Sequence, residues 1–92
     1  MSFRMEIEYL YGKLVIIDPE EYLYSDSQGN GRGWKIKRTV PYDGPYFRIN
    51  HVNPGAPYPI HIEGRDNDLG WIRPSAIVEV KQIDARWEYD DY

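Results

Sequence analysis

The chain has 92 residues, a formal net charge of −4 and no cysteine. That length suits one domain with one core, and the missing thiols exclude a disulfide framework and thiolate metal sites. No run approaches the roughly 20 apolar residues of a membrane-spanning helix.

Tyr (9), Gly (8) and Pro (7) are abundant. Aromatic and β-branched residues favour pleated, half-buried surfaces, and closely spaced Gly and Pro turns between short strands predict an all-β barrel or sandwich. The acidity sits at the end of the chain. Residues 82–92 carry Asp84, Glu88, Asp90 and Asp91 against Arg86, a net of −3, which leaves −1 for residues 1–81. The start, Met-Ser-Phe-Arg-Met-Glu, has neither the basic segment nor the apolar run of a secretory signal, so a cytoplasmic location is expected, with an extracellular or cell-wall location only on release by lysis.

In chain order, residues 3–11 alternate, with Phe3, Met5, Ile7 and Tyr9 on one face, which predicts an extra N-terminal strand. Residues 13–18 (KLVIID) form a short apolar run ended by Pro19, a first core strand with Val15 and Ile17 on one side. Residues 20–25 alternate with Tyr22 and Tyr24 together, and residues 26–33 (DSQGNGRG) carry the Gly, Asn and Asp of a turn. Residues 34–40 (WKIKRTV) read as extended until Pro41, Gly44 and Pro45. Residues 46–52 are the next strand, and residues 53–59 (NPGAPYP) a loop, because three prolines remove backbone donors. Strands over 60–63, 69–72 and 77–81 come next, separated by a polar turn at 64–68 and a short turn at 73–76. Phe47, Ile49, Ile60, Ile62, Ile72 and Val78 are the expected interior. Residues 82–92 are an acidic tail with Trp87, Tyr89 and Tyr92, read either as a solubilising terminus or as a docking segment.

Gly70-Trp71-Ile72 followed by Pro74-Ser75-Ala76-Ile77, with Tyr58-Pro59-Ile60-His61-Ile62 upstream, resembles the end of bacterial SH3 domains. These are the cell-wall-binding modules of phage endolysins and bacterial autolysins. The resemblance covers mainly residues 46–80. It implies a small SH3-like five-stranded barrel spanning a single domain, with its core over 13–81, the additional N-terminal strand and a short C-terminal extension. In that plan residues 19–45 are the long RT-type loop, 53–59 the n-Src-type loop and 64–68 the distal turn. Arg73 stands where eukaryotic SH3 domains carry Pro, and Ala76 near the position of their groove Tyr, so polyproline recognition is not implied.

The candidate ligand groove is aromatic: Tyr22, Tyr24, Tyr42, Tyr46, Tyr58 and Trp71 come from the two long loops and the strand that would flank one groove. Such residues give large contact area at small entropy cost, although a small barrel also needs aromatic fill. A basic patch of Arg32, Trp34, Lys35, Lys37 and Arg38 interleaves cations with an aromatic ring, a pattern that suits single-stranded nucleic acid; a solvated strand face is the plainer reading. His51 and His61 lack the spacing and company of a metal site and read as solvent-facing. The carboxylate pairs Glu20/Glu21 and Asp66/Asp68 lie in turns rather than a cleft. No cofactor, metal or catalytic constellation is expected. The expected role is a non-catalytic module binding a peptide, glycan or wall fragment, as monomer or homodimer and away from membranes. The alternatives are a free-standing protein-interaction factor, with a phage origin as one option, acting on a host or virion protein and, third, nucleic-acid binding through residues 32–38.

Overall fold

Residues 7–25 and 36–81 are described by the computed structural model. They hold six strands: β1 (Leu14–Ile17), β2 (Tyr24–Ser25), β3 (Phe47–Val52), β4 (Ile60–Glu63), β5 (Asp68–Ile72) and β6 (Ile77–Val80). Two 3₁₀ turns, Glu8–Leu10 and Pro74–Ala76, flank the first and last of the longer strands. All strand pairs are antiparallel, in one sheet of order β2-β5-β4-β3-β1-β6. Its ends, β2 and β6, do not pair with one another among the described residues, so the hydrogen-bonded sheet is open.

One face of the sheet is the core. Val15 sits opposite Phe47, Ile49 opposite Ile62, and Ile60 opposite Ile72, all buried. A single sheet face becomes dry only when chain covers it. Ile7, Leu10, Tyr22 and Ile36, from outside the main strands, join the same cluster. Each fully buried aliphatic side chain contributes about 1.5–3 kcal/mol relative to exposure.

Three irregularities decide which side chains leave this core. Ile49 faces Ile62 and His51 faces His61, so Asn50 is an extra residue in β3. Strict alternation would put His51 on the side of Phe47 and Ile49. The bulge turns His51 outward and brings Val52 back to the core. In β5, Leu69 is the extra residue against β4, and Leu69 and Gly70 both lie on the inner side. Gly70 has φ +99°, a backbone conformation that a side chain opposes. Its role there is conformational. In β6, Ile77 faces Ile17 and Val80 faces Val15, which leaves Val78 as the bulged residue.

Four expectations are corrected. Val78 is 62% exposed, because the β6 bulge shifts Ile77 and Val80 into its intended place. Residues 7–11 are not strand: the 3₁₀ turn buries Ile7 and Leu10 and leaves Tyr9 exposed, a spacing of three in place of two. Residues 1–6 of that expected strand lie outside the described residues. Residues 36–40 are not extended either. Ile36 and Lys37 are helical and Arg38 is in a turn, and the Thr39 N–H donates to the Ile36 carbonyl at 3.4 Å. Finally, the strand that adds to the expected five is, among the described residues, Tyr24–Ser25, which pairs with Ile72 and Trp71. The turn expected at 26–33 and the tail at 82–92 lie outside the described residues.

Candidate functional site

The outer face of the sheet carries a row of rings. Trp71 on β5 lies opposite His61 on β4, and His61 opposite His51 on β3. Both imidazoles meet the indole edge-on, with centroids 4.9 Å (His61) and 5.3 Å (His51) from it. Rings in such T-shaped contacts attract through their quadrupoles, so Trp71 is held in place by its own sheet.

A polar network fixes the histidine behind it. Arg48 Nη1 donates to Glu63 Oε2 at 2.7 Å, and Asn50 Nδ2 donates to Glu63 Oε1 at 3.2 Å and to Asp68 Oδ1 at 3.3 Å. Carboxylates only accept, so the amide nitrogen of Asn50 must face them and its oxygen faces His61. His61 Nδ1 is 2.6 Å from that oxygen and is therefore the protonated ring nitrogen in the neutral imidazole. The bulge that makes Asn50 an extra residue is what aims this amide along the outer face. Burial pushes the His61 pKa below its ordinary value; His51 pushes the same way, against Asp68 and Glu63. The bond to Glu63 keeps the Arg48 guanidinium firmly charged.

Beside Trp71 is a concavity of about 220 Å³ lined by Asn53, Ala56, Pro57, Tyr58 and Trp71. Its loop is built locally. Pro54 and Gly55 occupy the centre of a turn closed by the Ala56 N–H on the Asn53 carbonyl at 3.2 Å, and Gly55 has φ +94°. Pro followed by a positive-φ Gly is the pattern of a type II turn. The Asn53 N–H donates to the Pro59 carbonyl at 2.7 Å and clamps the loop ends. Arg73, in extended backbone two residues past Trp71, shares its side of the strand. Its guanidinium lies 5.6 Å from the Tyr58 ring centroid.

The six aromatic residues expected to line one groove separate into three groups. Tyr58 and Trp71 come together. Tyr22 and Tyr24 are buried and stacked, with centroids 5.5 Å apart, and the Tyr22 hydroxyl donates to the Leu69 carbonyl at 2.8 Å. Their alternation places them together, but pointing inward: the covered face of the sheet needs them as fill. Tyr42 and Tyr46 have other company. Arg48 stands over Tyr42 at 5.7 Å. Tyr46 donates to Glu79 at 3.1 Å, and Lys81 lies 5.5 Å from its ring. Of the basic patch, Arg32, Trp34 and Lys35 lie outside the described residues. Lys37 is exposed and pairs with Glu20 at 3.5 Å, and Arg38 is exposed in its turn.

Nothing in the local sequence marks the supporting residues Asn50, His51, His61 and Arg73 as a site. One signal is present: His61 and Trp71 have parity opposite to Ile60, Ile62 and Ile72, which places both on the outer face. Among the described residues, no group of three or more His, Cys, Asp or Glu side chains is placed to hold a metal ion, and no helix is long and apolar enough to cross a membrane. No protein-family model, curated protein sequence or solved structure matches the chain.

Proposed function

We propose that this chain is a non-catalytic binding module on an SH3-like plan, holding a peptide, glycan or wall fragment against Trp71 and Tyr58. The order of elements supports the plan: β1, a long connection, β3, a proline-rich loop, β4, a tight turn, β5, a 3₁₀ turn and β6. Closure of that sheet into a barrel belongs to the same proposal. The observation that carries the functional reading is the surroundings of Trp71. The core does not use this ring, two imidazoles hold it still, and an apolar hollow opens beside it. Rigid aromatic anchors beside a hollow are where binding energy concentrates.

The test is co-sedimentation with purified cell-wall sacculi alongside an array of short peptides and oligosaccharides. Trp71→Ala and Tyr58→Ala should each weaken capture at least tenfold while circular dichroism stays that of the parent. Undiminished capture by both folded variants removes the reading.

A second reading is a protein-interaction factor, favoured by exposed tyrosines away from the hollow. Tyr9 and Tyr11 are each more than 60% exposed and Tyr42 is 41% exposed, with Arg48 beside the Tyr42 ring. Tyr and Arg are enriched in interaction hot spots. A bound protein released by Tyr42→Ala but retained by Trp71→Ala would select this surface over the hollow.

A further inference from the structure

The hollow beside Trp71 has an electrostatic side that the aromatic reading leaves unused. Among the described residues the ion pairs join Lys37 to Glu20, Arg48 to Glu63 and Lys81 to Asp43. Arg73 has no carboxylate partner among them; its described side-chain contact is the face of Tyr58. Tyr58 is itself a wall of the hollow, so a guanidinium without an ion-pair partner among the described residues packs on the ring that forms that wall. The ring contact orients the guanidinium through the quadrupole of the phenol and leaves its N–H fork free for an incoming acceptor. Among the described residues, Glu63 and Asp68, which meet Asn50 on the outer face, have partners of their own. Glu63 is paired with Arg48. Asp68 accepts from Asn50 Nδ2 at 3.3 Å.

Size narrows the occupant. A concavity of about 220 Å³ is below the roughly 300–1,000 Å³ of sites that enclose a drug-sized ligand. It has room for one side chain, and its lining of Ala56, Pro57, Tyr58 and Trp71 suits an apolar one. A ligand that puts one apolar side chain in the hollow and an anion beside it, on the same residue, is the end of a peptide. Resting on the binding-module reading above, we infer that the site takes the C-terminal residue of a peptide, with its apolar side chain between Trp71 and Tyr58 and its α-carboxylate on Arg73. Arg–carboxylate pairs of this kind are directional and bidentate, so the site discriminates a free chain end from chain interior.

The experiment is a titration of ¹⁵N-labelled full-length protein with three probes: acetyl-Gly-Gly-Leu with a free carboxylate, the same peptide as its C-terminal amide, and acetyl-Gly-Leu-Asp-Gly-amide. The free acid should move the Trp71 indole resonance and the amides of Ala56 and Tyr58, and bind at least tenfold tighter than the amide. Arg73→Gln should reduce the acid to the level of the amide while the rest of the spectrum stays in place. Arg73→Lys should restore part of the difference. Equal binding of acid and amide overturns the carboxylate role and leaves the aromatic hollow standing. Binding of the internal-aspartate peptide as tightly as the free acid overturns the chain-end assignment. Absence of shifts with all three probes overturns the inference as a whole, while the sacculus and array experiment still decides the broader reading.

Discussion

His61 shows how far one side chain can link the site to the solution. Burial holds its pKa below the ordinary value of 6.5. As pH falls, the unfolded chain therefore takes up this proton before the folded one does. The sign comes from linkage: stability rises with pH wherever the unfolded state binds more protons. The contribution is complete above about pH 7, is lost as pH falls through 6.5 towards the folded-state pKa, and then levels off. Urea midpoints recorded from pH 8 to pH 5 should show this decline, and His61→Gln should flatten it. His51→Gln removes a neighbour that lowers the His61 pKa, so the decline due to His61 should begin at the same pH but be shallower. Imidazole proton shifts monitored by NMR would give each titration directly, and a His61 titration at or above 6.5 in the folded protein would contradict the assignment.

Glycine predictions also belong to single positions, and they differ in cause. At Gly70 the obstacle is φ +99°; Gly70→Ala should cost about 1–3 kcal/mol as a strained backbone position. At Gly64 no such φ is present, but an added Cβ would run into the Val40 carbonyl and lie 2.8 Å from Thr39 Cγ2. Gly64→Ala therefore acts by pushing away the segment that docks through the Arg65 N–H on the Val40 carbonyl at 3.0 Å. It should cost about 1–3 kcal/mol as an overpacked contact. For a chain this small, each kcal/mol corresponds to roughly 4–8 °C in Tm, so thermal melts resolve both. An unchanged melting temperature would show at Gly70 that the backbone leaves its positive φ freely, and at Gly64 that the neighbours yield freely.

At the level of elements, the strands are legible in the sequence and their irregularities are not. Val15 and Ile17, Phe47 and Ile49, and Ile60 and Ile62 alternate in plain sight, and each pair faces the core. Alternation carries no mark of an inserted residue. Asn50, Leu69 and Val78 are therefore invisible to it, although each resets the parity of its strand beyond that point. Residues 7–11 and 36–40 depart from expectation for another reason. Short segments that cover a sheet take their shape from the surface beneath them, and propensity yields to that packing. Half of the site is visible as Tyr58 and Trp71. The remainder depends on register across three strands, which no local pattern encodes. Tyr22 tests the corrected view. If it is fill, Tyr22→Phe should cost about 1–3 kcal/mol, since the buried Leu69 carbonyl loses its donor, and ligand capture should be unchanged. A loss of capture with undiminished stability would return Tyr22 to the groove.

At the scale of the whole molecule, the described residues form a sheet with two ends, and their state distinguishes an open sheet from a closed barrel. β4 and β3 are flanked by strands on both sides, whereas β2 and β6 each have one partner among the described residues. An amide hydrogen-bonded within the sheet exchanges only when the sheet opens, while an amide on a free edge meets water directly. In an open sheet, native-state hydrogen exchange should therefore be slowest at Ile49, Ile62 and Ile60. The amides of β6 that point away from β1 should exchange many times faster. A barrel predicts otherwise, because closure removes edges and the outward amides of β6 would share the protection of the centre. The exposed Val78 gives the same question a second readout. It lies at the bulge of this edge and is 62% exposed, so Val78→Lys should change stability by less than about 0.5 kcal/mol if the edge is free. If another part of the chain covers β6, the same lysine would have to be buried or displace its cover, and a large loss of stability together with slow edge exchange would identify the closed form.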